Sequence, residues 1–76
     1  MPQHLNYRIL LTKEPEGGFT VMVPALPGCI TFGENMEDAV TMAKDAIKLY
    51  LESLMAHGEP IPTEDNTFEY PVSVVA

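Results

Sequence analysis

Apolar and polar residues alternate from Leu5 to Lys13: Leu5, Tyr7, Ile9 and Leu11 share one face, and Asn6, Arg8, Leu10 and Thr12 share the other. A period of two with Tyr and Ile among the inward positions predicts a half-buried strand. Residues 14–18, Glu-Pro-Glu-Gly-Gly, have the length and composition of a hairpin loop. Alternation resumes at Phe19, with Val21 and Val23 on the same inward face. A corner from Pro24 to Gly28 leads to a short third strand, Cys29 to Phe32, in which Ile30 and Phe32 are expected to point inward. Three consecutive strands with short links predict an antiparallel meander.

Past Gly33 the period changes. Asn35 can cap a helix by accepting the N–H of Asp38, and Glu37 and Asp38 set negative charge where the helix dipole favours it. At about 100° per residue, Met36, Ala39, Val40, Ala43, Ala46, Ile47, Tyr50, Leu51 and Leu54 fall on one broad arc. Asp38, Thr41, Asp45, Lys48 and Glu52 lie opposite. His57, Gly58 and Pro60 form a stop signal, so the helix spans about 22 residues. Residues 59–67 make a polar connection containing two prolines, after which Phe68, Tyr70, Val72 and Val74 alternate in a final strand. Pro71 offers no amide donor, which assigns that strand to a sheet edge. The expected fold is α+β: a single β-β-β-α-β domain over residues 1–76, with a three-stranded meander, a fourth strand and one long helix on one face. A right-handed crossover would set the fourth strand parallel to a strand of the meander.

A 76-residue chain buries only about 60% of the surface its unfolded form exposes, so its core is small. With one helix for two sheet faces, this points to a homo-oligomer, a dimer or tetramer. Eleven acids against four bases give a net charge of −7. Phosphate backbones repel such a chain, which argues against direct nucleic-acid binding; a basic protein attracts it. No apolar run approaches the ~18 residues of a membrane span, and no basic region followed by an apolar block follows Met1. One cysteine cannot form an intramolecular disulfide, so a cytoplasmic location is expected.

The candidate chemistry is thin. Cys29 as a nucleophile needs a base, and His4 and His57 form no recognisable signature with it; a small buried apolar role fits better. One Cys and two distant His do not make a structural zinc site. The first three strands carry no Asp or Glu, whereas metal-ion hydrolases draw acids from inward or cleft-facing positions. No phosphate-binding loop, dinucleotide motif or nucleophile elbow is present, so neither catalysis nor a cofactor is expected. For binding, Met42 and Leu49 sit just outside the buried helix arc, beside Ser53. Glu14 and Glu16 in the hairpin, with Glu64 and Asp65 before the last strand, offer acidic contacts to a basic partner. Solvated turns and peripheral core are the alternative reading of these residues.

One stretch acts as a signature: a Pro-x-Leu-Pro-Gly-Cys corner (Pro24, Leu26, Pro27, Gly28, Cys29), a Thr-x-Gly turn (Thr31, Gly33) and the acidic pair Glu37 and Asp38. After it come Ala39, Ala43 and Ala46, then Tyr50-Leu51-Glu52, and finally Gly58, Ile61 and Pro62. This set resembles the HicB-like antitoxin family, with Asn35 standing where that family often has Thr or Ser. The resemblance implies a partial ribonuclease H-like fold that is not a nuclease. It also implies a partner, a HicA-type toxin: a small basic protein that cuts mRNA using a histidine. Many family members add a C-terminal helix-turn-helix or ribbon-helix-helix domain; the sequence ends at Ala76, so operator binding is not carried over. Pro24, Pro27, Gly28, Cys29, Gly33, Asn35 and Gly58 are then expected to be structural. The alternatives are a stand-alone oligomeric binding module without a toxin and a metal-dependent nuclease acting through acids such as Asp38.

Overall fold

Residues 4–76 are described by a computed structural model, so the reading at Met1 lies outside them. Strands β1 (Leu10–Lys13), β2 (Phe19–Met22) and β3 (Ile30–Gly33) are followed by helix α1 (Met36–Ala56). The strands pair in the order β1-β2-β3, each pair antiparallel. This α+β arrangement is the expected meander and helix.

The register settles which side chains meet the helix. Leu11, Val21 and Thr31 form one cross-sheet row, and Phe19 stands opposite Gly33; Leu10, Met22 and Ile30 form a row on the reverse face. Val21 is fully buried under α1, so Thr31 and Gly33 face inward while Ile30 and Phe32 face out, 60% and 48% exposed. The inward placement expected for Ile30 and Phe32 is therefore reversed. Parity explains it: Cys29 is buried, and residues two and four beyond it share its side of the chain.

The helix approaches the sheet through small residues. Val21, Ala39 and Ala43 pack with Ile9, Leu11 and Phe19 in one cluster. Gly33 permits the close approach: a Cβ there would lie 2.3 Å from the Ala39 backbone. The second cluster is the corner itself. Val23, Leu26 and Cys29 pack with Tyr7, Ile9, Ala46, Ile47, Tyr50 and Leu51. Its backbone closes on itself through Val23 N–H to Cys29 O, Leu26 N–H to Val23 O and Cys29 N–H to Leu26 O, at 2.9–3.1 Å. Gly28 adopts φ +82°, a left-handed conformation that favours glycine, and the Tyr50 hydroxyl donates to Pro27 O at 2.9 Å.

Both helix ends follow the expected chemistry. Asn35 Oδ1 accepts the Asp38 N–H at 2.7 Å, and Asp38 Oδ2 accepts the Glu34 N–H at 2.9 Å. At the far end the His57 N–H bonds Ser53 O and Leu54 O, and Gly58 takes φ +68°.

Two strand expectations differ from the structure. Only residues 10–13 of the first strand pair with β2; residues 4–9 precede the ladder. The stretch from Phe68 to Val74 joins no sheet, and its four inward candidates are 76–89% exposed. Period two shows which residues would share a face, but pairing needs an available neighbour.

Candidate partner interface

Three surfaces carry the residues singled out for binding. On α1, Met42 and Leu49 are exposed, Leu49 at 65%. They are seven residues apart, about 10 Å along the axis, on one flank of the helix. Asp45 and Glu52 lie beside them, both exposed, giving an apolar ridge bordered by carboxylates. Lys44 and Lys48 fall on the other flank, next to Ile47 and Leu51.

In the hairpin, Glu16 is exposed, whereas Glu14 is half-buried and accepts the Thr20 hydroxyl at 2.8 Å. The Glu14 N–H also bonds Gly18 O at 2.9 Å, so its backbone closes the turn. Glu14 thus acts within the fold, and Glu16 presents the hairpin's open carboxylate.

Glu64 and Asp65 separate in the same way. Arg8 donates from its backbone N–H to Glu64 Oε1 at 3.0 Å and from Nε to Oε2 at 2.6 Å, while Nη1 reaches Glu69 at 3.4 Å. Hydrogen bonding from Arg8 holds the Glu64 carboxyl below its ordinary range. The Tyr7 hydroxyl donates to Pro62 O, and burial pushes its pKa up, with Glu64 and Asp65 adding to the shift. Glu64 therefore anchors the connection to the start of the chain, while Asp65 is exposed. Nothing local in the sequence signals this anchor, because Arg8 and Glu64 stand 56 positions apart.

The signature residues have structural surroundings. Cys29 is a free, buried thiol whose pKa is raised by desolvation, the opposite of what an activated nucleophile requires. Among the described residues no group of three or more His, Cys, Asp or Glu is placed to hold a metal ion, and no helix is long and apolar enough to cross a membrane.

The reverse face of the sheet adds a surface not anticipated in full. Leu10, Met22 and Ile30 line up across the three strands, with Phe32 nearby, all exposed. Parity from Cys29 is the signal that could have found Ile30 and Phe32 on that side.

Comparison with known proteins places these features in a family. The model for the HicB-like antitoxin of bacterial toxin-antitoxin systems matches residues 7–73. A UPF0150 protein of Thermoplasma acidophilum is 44% identical over 68 residues, covering 90% of this chain and 97% of that protein. A UPF0150 protein of Synechocystis is 44% identical over 63 residues, covering 83% and 80%. Antitoxin HicB of Escherichia coli K12 is 33% identical over 78 aligned positions, covering 95% of this chain but 56% of its own length. The matched range contains the corner, the capped helix and the Arg8–Glu64 anchor, and the chain belongs to the HicB-like antitoxin family.

Proposed function

We propose that this chain is a cytoplasmic antitoxin that binds and neutralises a small, basic, HicA-type toxin, acting by occlusion rather than by catalysis. The observation that carries this reading is the antitoxin family match over residues 7–73. The net charge of −7 supports it, because a basic ribonuclease is drawn to an acidic surface and the encounter is accelerated. The contact surface assigned to the toxin is the Met42–Leu49 ridge with Asp45 and Glu52, and Glu16 and Asp65 extend its acidic field. An apolar centre with a charged border is the usual anatomy of a specific interface.

Co-expression with a small basic HicA-type protein, sought as a short reading frame beside the gene, tests this. Rescue of growth and a co-purifying complex are expected. Failure of both would overturn the proposal. The double variant D45K/E52K should weaken the complex by about tenfold or more, mainly through slower association. Both side chains are exposed, so circular dichroism should remain that of the wild type.

A second reading, a stand-alone oligomeric module with no toxin partner, is favoured by the apolar row Leu10–Met22–Ile30. Absence of any short basic reading frame nearby, together with stable self-association, would select it.

A further inference from the structure

The sulfur atoms of this chain are sorted by depth. Both core clusters are built from Val, Leu, Ala and Cys29, with Ile, Phe and Tyr around them, and neither contains a methionine. Met22, Met36, Met42 and Met55 lie at the surface instead, 40–57% exposed. Methionine is ordinarily among the residues most often buried, so four exposed thioethers on one small domain depart from its usual placement. The only thiol has the opposite setting. Cys29 is buried, and desolvation raises its pKa away from the reactive thiolate form. An oxidant that meets the folded chain therefore meets thioethers first, and no core packing depends on them.

Two of the four occupy exposed apolar surfaces. Met22 is the central member of the row Leu10–Met22–Ile30, and Met42 forms the ridge on α1 with Leu49. Met36 and Met55 stand at the two ends of α1. The ridge is bordered by the exposed carboxylates Asp45 and Glu52. Hydrogen peroxide is uncharged, so that border does not repel it as it would an anionic oxidant.

We propose that Met42 is an oxidation site that regulates docking on the ridge: its sulfoxide weakens the hold on the toxin, and reduction restores it. This inference rests on the toxin reading given above. In the step, a lone pair of the Met42 sulfur attacks one oxygen of the peroxide, so that an S–O bond forms and the O–O bond breaks. The thioether loses two electrons and becomes a sulfoxide. The departing hydroxide takes the proton of the transferred oxygen and leaves as water. A flexible apolar side chain is thereby made polar and carries a new acceptor oxygen. Asp45 and Glu52 are acceptors when ionised and offer it no donor. An apolar counter-surface seated on the ridge strips that oxygen of water without replacing the hydrogen bond, and affinity falls.

Peroxide treatment of the full chain, followed by peptide mass spectrometry, should place a sulfoxide on Met42 and leave Cys29 unmodified. Helical circular dichroism should be preserved. The oxidised chain should bind a small basic HicA-type protein about tenfold more weakly than the untreated chain. Met42→Leu keeps the ridge apolar without a thioether. This variant should bind like wild type and hold that affinity after peroxide, although Met22, Met36 and Met55 remain oxidisable. Methionine sulfoxide reductase should restore binding by the oxidised wild type, and bound toxin should slow the oxidation of Met42. Binding unchanged by oxidation, or an equal loss in peroxide-treated Met42→Leu, would overturn the proposal and leave the toxin reading intact. Absence of binding before any oxidation would overturn both.

Discussion

Gly33 shows how much a single hydrogen atom can decide. A methyl group at this position would meet the Ala39 backbone at 2.3 Å, and a backbone obstacle cannot rotate away. Gly33→Ala should therefore destabilise the fold by about 3 kcal/mol, the upper end of ordinary overpacking, measurable by urea denaturation. The Arg8–Glu64 pair gives a second residue-scale prediction. Glu64 is held below its ordinary pKa in the folded chain, so the unfolded chain binds more protons in the interval between the two values. The pair's contribution is fully present above the ordinary carboxylate range and is lost as pH falls through the depressed value. Glu64→Gln should remove this component, so the stability difference between wild type and variant should shrink as acid is added. A difference independent of pH between neutral and strongly acidic solution would contradict it. Neither residue could be assigned its role from sequence: Gly33 read as a turn glycine, and Arg8 as a polar face residue without a partner.

Among the elements, α1 was the most legible. Its cap, acidic first turn, buried arc and glycine stop are local features, set by residues within one or two turns of each other. Asn35→Ala removes the acceptor for the Asp38 N–H and should cost about 1 kcal/mol, read as a lower thermal midpoint with unchanged oligomeric state. The strands were legible as alternation but not as pairing. Ile30 and Phe32 drew an inward assignment because they are the large apolar residues of β3, yet the buried Cys29 fixes the opposite parity. Phe68 to Val74 alternates as cleanly as any strand of the sheet, yet it is exposed and joins no strand of its own chain. Of the binding candidates, Met42, Leu49, Glu16 and Asp65 lie exposed as a contact surface requires, while Glu14 and Glu64 are engaged in the fold. Composition marks an acid as a candidate; only the folded geometry shows whether a hydroxyl, as at Glu14, or a base, as at Glu64, already holds it.

At the scale of the whole molecule, surplus negative charge is the dominant long-range term. Self-repulsion among eleven acids with only four bases favours expansion, and salt screens it over about 10 Å at 0.1 M. Raising the salt concentration at neutral pH should therefore raise the melting temperature, and a fall would show that attractive pairs outweigh the repulsion. The buried Cys29 then has a practical consequence. It is the chain's only thiol, 5% exposed, and it closes the cluster between the corner and α1. A disulfide reagent added to the native protein can reach it only when that cluster opens, so the labelling rate counts excursions away from the packed state. Measured with and without a binding partner, that rate would report how far complex formation suppresses opening, with no probe introduced into the sequence.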